Sequence, residues 1–222
     1  WLRRPVIYSV SSGVGHRRPN IAFFASLAAV TVSDERSLSR LQEWGLGNSF
    51  LVRAGIDTTR FTYSPLPLRS EIRLMVGSAP WTRAQFRTKG IDSLLAAARQ
   101  APHLRLICLW RGVLAGEMER RARRMKLENQ VEILNKKVAV NQVLAGVHAS
   151  ITLATDPAII RSYPHSLMES LAAGKPIIVN RSIPMSDYVE QTGCGKVTES
   201  VTPTDILTAV EALVHENEDL QK

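Results

Sequence analysis

The chain has 222 residues, of which 45% are hydrophobic and 22% charged, a composition typical of a globular protein with a real core. No run of eighteen apolar residues occurs, so the sequence predicts no transmembrane helix. The formal net charge of +8 favours anionic partners, which are nucleotides, phospholipid headgroups or nucleic acid.

The chain begins at Trp1 rather than at a methionine, and no charged and apolar leader follows. We therefore expect a fragment of a longer protein or a processed product. Cys108 falls inside an apolar run, as a buried core residue would, and Cys194 stands between two glycines. Neither cysteine has metal-ligand spacing, and no disulfide framework is expected. This cysteine usage predicts a reducing, cytoplasmic compartment.

Short β-branched segments alternate with helical segments from the start of the chain. Strands are predicted at 5–10, 29–32 and 50–52, and helices at 21–27 and from Ser33 or Asp34 to about Trp44. Pro65 and Pro67 then remove two backbone donors and fix two φ angles, which predicts a linker at 62–71. We therefore expect a partial unit at 1–61, this linker, and a second domain at 72–222.

The second part of the chain alternates more regularly. Strands are predicted at 72–76, 104–109, 131–134, 149–153, 176–179 and 196–197, and helices at 91–100, 114–126, 139–146, 166–173, 185–191 and from 203 onward. Thr202 to Asp205 has the form of a capping box for the last helix. The alternation predicts parallel βαβ units, and thus an α/β protein in which a Rossmann-like doubly wound parallel sheet follows a partial Rossmann-like unit.

The densest basic segment, 120–126, has a structural explanation. Glu117 precedes Arg121 by four residues and Glu119 precedes Arg123 by four, so the spacing predicts a solvated helix face with its own ion pairs. We favour this interpretation over a binding patch.

The ends of two predicted strands carry the candidate chemistry, because parallel sheets bind ligands outside the carboxyl ends of their strands. The first loop, 77–90, begins with Gly77, which permits close backbone approach, and contains Arg83, Arg87 and Lys89 beside a helix start. Cations and free helical N–H groups suit a diphosphate. The alternative is an exposed loop with ordinary surface cations.

The second loop, 154–164, leads into a predicted helix. The amides of His165, Ser166 and Leu167 would point above the sheet and suit a phosphate. Glu169, one turn further, can reach the same cleft and accept hydrogen bonds from sugar hydroxyls. The alternative for Glu169 is a carboxylate favoured by the helix dipole, and for His165 a packing or capping role.

The stretch 162–178, SYPHSLMESLAAGKPII, resembles the signature of family 4 glycosyltransferases. Two further segments are similar to that family in the same order: Ala54-Gly55-Ile56-Asp57 with Phe61, and Lys89-Gly90-Ile91-Asp92 with the leucines that follow. The family consists of retaining, metal-independent enzymes with two facing Rossmann-like domains, the GT-B fold. The resemblance therefore implies a nucleotide-sugar donor domain at 72–222 and the end of an acceptor-side domain at 1–61.

The resemblance also implies roles for individual residues. Lys89 would bind the donor diphosphate, Glu169 the nucleotide ribose, and the amides of Ser166 and Leu167 a phosphate. No cofactor and no metal is expected, since the nucleotide-diphosphate sugar is itself the substrate.

Two positions depart from the family pattern. Ser78 stands where the family usually has arginine, so Arg87, or else Arg83, would replace that group. Arg161 stands where the family has the glutamate that contacts the donor sugar. One hypothesis is that Arg161 recognises a carboxylated sugar or a further phosphate.

The sequence thus predicts the donor-binding part of a glycosyltransferase, with donor binding but little or no transfer by the isolated chain. Its partners would be a nucleotide sugar, an acceptor glycan, lipid or small molecule, and an N-terminal domain. Peripheral membrane contact fits the positive charge, and nucleic acid is not expected. Two alternatives stay open: a non-catalytic nucleotide-binding module, or a basic domain that binds an anionic membrane or nucleic acid.

Overall fold

The computed structural model describes residues 4–67 and 70–220. Its first part is a small three-stranded sheet in the order β1-β2-β3, in which all strands are parallel. The strands and their helices are β1 Ile7–Val10, α1 Ile21–Ala25, β2 Ala29–Val32, α2 Glu35–Glu43 and β3 Ser49–Leu51. Asp34 begins α2 as predicted, because its carboxylate accepts a hydrogen bond from the amide of Ser37 at 2.8 Å.

The second part is a six-stranded parallel sheet in the order β6-β5-β4-β7-β8-β9. Its strands are β4 Ile72–Val76, β5 Leu104–Cys108, β6 Val131–Ile133, β7 Ala149–Thr152, β8 Ile177–Asn180 and β9 Gly195–Thr198. The helices are α3 Ala84–Thr88, α4 Ile91–Gln100, α5 Ala115–Arg124, α6 Val140–Ala145, α7 His165–Ala172, α8 Met185–Thr192 and α9 Pro203–Leu220. The predicted doubly wound α/β architecture is confirmed.

The core explains why these strands read as nearly continuous apolar runs. One large cluster joins β4 and β5 to α4, α5 and α9, and includes the buried side chains of Leu74, Leu106 and Leu213. On the opposite face, Met75 and Ile107 belong to a separate cluster with Leu144 of α6. A sheet covered on both faces needs apolar residues at successive positions. Cys108 is buried here, as expected, and burial raises the pKa of its thiol to about 12.

The strand order also fixes where a ligand can bind. The chain proceeds from β4 to β5 and β6 on one side, and then returns to place β7, β8 and β9 on the other. The crossover loops therefore diverge at the carboxyl ends of β4 and β7 and leave a crevice between them.

The segment between the two sheets contains the predicted linker, of which residues 68–69 lie outside the described part of the chain. Before it, Asp57 caps a short 3-10 turn, Thr58–Arg60, by accepting a hydrogen bond from Thr59 at 3.1 Å. Ile56 and Phe61 on either side of this turn pack against the second sheet's clusters. The motif residues around the turn thus contact the part of the chain that follows the linker.

Three local predictions need correction. The segment 77–90 is not a continuous loop, because it contains α3, whose Phe86 is fully buried and lies edge-on to Trp110. Burying one such side chain stabilises a short helix by roughly 1.5–3 kcal/mol. The sequence of these five residues does not indicate that burial.

The other two corrections concern the hydrogen bonds that cap α9 and the ion pairs on the surface of α5. Thr202 caps α9 by accepting from the amide of Asp205 at 3.2 Å, but the Asp205 carboxylate binds Ser200 instead of completing the box. On α5 the predicted Glu117–Arg121 pair is present at 2.9 Å. Glu119 and Arg123 form no ion pair within the described residues, and Glu117 receives Arg120 as its second partner.

Candidate donor-binding site

A cavity of about 570 Å³ opens at the carboxyl ends of β4 and β7, where the strand order leaves its crevice. Both predicted loops and the start of α7 line it, together with Ser12, which follows β1. The lining residues are Ser12, Gly77, Ser78, Ala79, Trp81, Lys89, Leu109, Ala158, Ile159, Ile160, Arg161, Pro164, His165, Ser166 and Glu169. The fold therefore gathers six of the predicted site residues around one space: Gly77, Lys89, Arg161, His165, Ser166 and Glu169.

Lys89 is the buried cation of this cavity, with 6% of its surface exposed. Its Nζ donates hydrogen bonds to the Ser78 hydroxyl at 3.1 Å and to the Ala79 carbonyl at 3.0 Å. No carboxylate lies within 4.0 Å of it among residues 4–67 and 70–220. Burial lowers the pKa of the Lys89 ammonium. A buried ammonium that lacks an acidic partner and borders a cavity is suited to bind an anion.

The first turn of α7 faces the same space. Gly77 allows the loop after β4 to approach it, since a Cβ at this position would lie 2.4 Å from the Ser166 Cβ. The positive end of α7 and the amides of His165 and Ser166 thus stand beside the lysine loop. Within the described chain, neither amide donates to a protein acceptor. Cation and helix terminus together form a compact anion site.

Leu167 requires a correction, because its amide is not free. It donates to the carbonyl of Pro164 at 3.0 Å, and its side chain is fully buried in the core beneath α7. The first turn closes with a tight i+3 hydrogen bond, which removes one of the three predicted donors.

Glu169 lies one turn further along α7 and is half-buried at the cavity wall. Burial raises the pKa of its carboxyl, while the nearby His165 and Arg60 act in the opposite direction. A carboxylate in this position accepts hydrogen bonds from hydroxyl groups, and hydroxyl donors would replace the water that burial removes.

The wall after β7 is held at both of its ends. Asn180 at the end of β8 exchanges two hydrogen bonds of 2.8 Å with the backbone of Ala154. Arg161 follows at the other end of the loop, and its guanidinium reaches the His165 ring at 3.4 Å. Arg161 therefore lies on a wall of the same cavity that Lys89 lines.

The first sheet completes the cavity, which the sequence did not indicate. Ser12 pairs with Arg161 as an antiparallel bridge, and the amide of Gly13 donates to the Pro157 carbonyl at 3.1 Å. A Cβ on Gly13 would lie 2.6 Å from that of Pro157, so glycine is needed for this contact. This glycine belongs to the segment 12–15, SGVG, which contains no motif that identifies the residues it contacts.

Two predicted cations do not line the cavity. Arg83 and Arg87 are both exposed and lie at the start and end of α3. Trp81 in the same segment does line it, with 83% of its surface exposed, and was not predicted. The inserted turn of α3 explains the difference, because it places Phe86 inward and directs the charged neighbours to solvent.

The described part of the chain holds neither a metal-ligand cluster nor a membrane-spanning helix. Residues 4–67 and 70–220 contain no cluster of three or more His, Cys, Asp or Glu side chains that could hold a metal ion. Over the same residues, no helix is both long and apolar enough to cross a membrane.

Comparison with solved structures places the fold. Alr3699/HepE from Anabaena, in complex with UDP-glucose, superposes with a TM-score of 0.77 at 16% identity, over 97% of this chain and 64% of its own. Sucrose-phosphate synthase from Thermosynechococcus elongatus superposes with a TM-score of 0.70 at 16% identity, over 88% of this chain and 51% of its own. A TarM mutant from S. aureus gives a TM-score of 0.73 at 12% identity, over 94% and 43%.

This chain therefore spans less than two thirds of each of these proteins. At such low identities the likeness shows the fold alone, and it confirms the Rossmann-like α/β fold of GT-B enzymes. No curated protein sequence matches the chain significantly. The sequence model of the family Glycosyl transferases group 1, however, matches residues 81–222, more than half of the chain. The chain belongs to that family.

Proposed function

We propose that this chain binds the nucleotide-diphosphate sugar from which a glycosyltransferase transfers its sugar. The observation that carries the proposal is Lys89, a buried ammonium without a described acidic partner, beside the open amides of α7. A diphosphate supplies the negative charge that this arrangement lacks. The solved complexes of Alr3699/HepE with UDP and with UDP-glucose support the choice of ligand.

The chemistry follows from this placement. When the bond between sugar and diphosphate breaks, negative charge grows on the leaving phosphate. Lys89 and the amides of His165 and Ser166 are fixed before that moment and stabilise the charge without rearrangement. Glu169 would hold the ribose and orient the donor, so that the cleaved bond lies above the sheet.

Several finer points belong to the same proposal. The enzyme would be a retaining family 4 hexosyltransferase that needs no metal, with residues 1–61 as the end of its acceptor-side domain and 62–71 as the linker. The acceptor would be a glycan, a lipid or a small molecule, and the protein cytoplasmic with possible contact to a membrane surface. The isolated chain would bind donor with little or no transfer. NMR of the product's anomeric proton from the full-length enzyme tests retention, and inversion would refute it.

Calorimetry at one fixed, moderate salt concentration tests donor binding. UDP, GDP and ADP are titrated alongside their parent nucleosides. We expect one diphosphate to bind at least about tenfold more tightly than its nucleoside, because charged hydrogen bonds are worth about 1.5–3 kcal/mol. Glu169→Gln should weaken the contribution of the nucleoside to binding. Lys89→Ala should abolish the additional affinity of the diphosphate over its nucleoside. Equal affinity for nucleoside and diphosphate, or no binding of any, would contradict the proposal.

A further inference from the structure

The cavity contains a second cation that the donor diphosphate does not require. Lys89 stands on the β4 side, whereas Arg161 stands on the loop after β7. Among the described residues, no carboxylate lies within 4.0 Å of the Arg161 guanidinium. Glu169 is the only acidic side chain in the described cavity lining. The wall after β7 therefore presents positive charge without a matching acid.

The neighbouring ring defines how Arg161 is arranged. A guanidinium has N–H donors and no acceptor, so in this contact the His165 Nε2 atom, 3.4 Å from Nη1, is the acceptor. This long contact uses one of five N–H groups. The others have no side-chain acceptor in the described chain, and a planar fork of such donors binds a carboxylate with two parallel hydrogen bonds.

Arg161 is exposed, but contacts with the first sheet hold its backbone in place. Arg161 bridges to Ser12, and the next amide, that of Ser162, donates to the Ser11 carbonyl at 3.0 Å. The Ser162 side chain is fully buried, and its hydroxyl donates to the carboxylate of the equally buried Asp34. The Ser162 carbonyl accepts from the amide of Met185 at 3.1 Å. Contacts from both sheets thus place the root of the Arg161 side chain at the cavity wall.

Such a fixed cation distinguishes between donors. With the diphosphate on Lys89 and the α7 amides, a neutral sugar leaves the exposed Arg161 guanidinium at the cavity wall without a counter-charge. A sugar that carries a carboxylate pairs with it directly. We propose that Arg161 selects a donor whose transferred sugar is negatively charged, with a uronic acid as its simplest form. This inference rests on the proposed donor function and adds the class of sugar.

Calorimetry with three ligands tests the selectivity: UDP, UDP-glucose and UDP-glucuronic acid. If the nucleoside panel favours guanine, the equivalent set is GDP, GDP-mannose and GDP-mannuronic acid. We expect the uronic acid donor to bind about tenfold more tightly than the neutral donor. In Arg161→Gln this preference should fall to within about twofold, while affinity for the free diphosphate changes by less than about threefold. Arg99→Gln, which removes an exposed arginine of α4 outside the cavity, is the matched control and should keep the preference.

The outcomes separate the two proposals. No diphosphate binding at all would refute the donor function and with it this inference. Diphosphate binding with equal affinity for neutral and acidic donors would refute the inference alone. A loss of free diphosphate affinity in Arg161→Gln as large as the loss of acidic donor affinity would show that Arg161 binds the diphosphate, and would also refute it.

Ser162→Ala tests the positioning argument independently. The substitution removes the hydroxyl that ties the loop to Asp34 and leaves the guanidinium in place. We expect the preference for the acidic donor to fall by about threefold with unchanged affinity for the free diphosphate. An unchanged preference would mean that the contacts from the first sheet do not position Arg161.

Discussion

Two buried lysines stand at opposite ends of the six-stranded sheet. Lys89 follows α3 at the carboxyl ends of the strands, and Lys175 precedes β8 at their amino ends, with 6% and 3% of their surfaces exposed. Burial lowers the pKa of both ammonium groups. The cavity beside Lys175 is the larger, at about 750 Å³ against 570 Å³. By volume and by burial of a cation, the amino end would be the better ligand site.

The helix between the two ends distinguishes them. α7 begins beside Lys89 with free amides and its positive end, whereas Lys175 lies three residues after its last residue, near the negative end. An anion is therefore favoured at the first cavity and a cation at the second. Lys175 Nζ has no hydrogen-bond partner among the described residues. A ligand site thus depends on the polarity of the backbone around it more than on its size.

The largest expected effect separates the two lysines by function. Lys89→Met should weaken binding of the preferred nucleoside diphosphate about 10- to 100-fold, because it removes a charged donor from the anion site. Lys175→Met removes an equally buried lysine and is the matched control, with an affinity that should change by less than about twofold. Calorimetry of both variants measures the difference. Similar losses in both would show that the charge of the whole domain, and not the site at α7, attracts the nucleotide.

Two glycines, Gly77 and Gly174, lie at opposite ends of the six-stranded sheet beside the two cavities. A Cβ at Gly77 would meet Ser166 at 2.4 Å, and one at Gly174 would meet the Tyr63 ring at 2.2 Å, where φ is also +71°. We expect each alanine variant to lose about 1–3 kcal/mol of stability. Gly77→Ala should in addition weaken nucleotide binding, because it displaces the first turn of α7, whereas folded Gly174→Ala should bind normally. Chemical unfolding and calorimetry measure the two effects, and equal affinity in both variants would contradict the assignment of the site.

Lys175→Met also carries a prediction of its own for stability. Because the pKa of Lys175 is lowered in the folded protein, its positive charge opposes folding, most fully below the folded pKa, and the cost fades as the pH rises towards the unfolded value. Replacement by methionine should raise the free energy of unfolding by about 1 kcal/mol at neutral pH, or Tm by about 2–4 °C. A loss of stability measured by thermal unfolding would instead show that the ammonium has a favourable partner.

The elements that the sequence predicted correctly share a physical cause. Parallel strands covered on both faces show as apolar runs, and their following loops lie at one edge of the sheet, so the sequence predicted that Lys89, Ser166 and Glu169 lie at this same edge. Gly77 could also be predicted, since a glycine directly after a strand permits another group to approach the backbone closely.

What escaped prediction depends on partners far away in the sequence. Ser12 and Asp34 meet the loop at 161–162 across more than a hundred residues, and neither carries a local pattern that specifies this. The single turn of α3 is defined by the burial of Phe86 and not by its helix propensity. The Leu167 amide was misjudged because the choice between a free amide and an i+3 bond is made by the geometry of one turn.

The smallest expected effect lies in the pH dependence of binding. Since burial lowers the pKa of the Lys89 ammonium, its charge is lost at a lower pH than that of an exposed lysine. Affinity for the diphosphate should therefore fall as the pH rises from 7 to 9 in the unaltered chain, and stay nearly constant in Lys89→Arg, whose guanidinium does not titrate there. The nucleotide's own titration is common to both proteins and cancels in the ratio of their affinities. The corresponding comparison for the other lysine is between the unaltered chain and Lys175→Arg. The ratio of their affinities for the diphosphate should not depend on pH. A pH-dependent ratio for Lys175 and a constant ratio for Lys89 would place the bound anion at the amino ends of the strands, beside Lys175 and not beside Lys89.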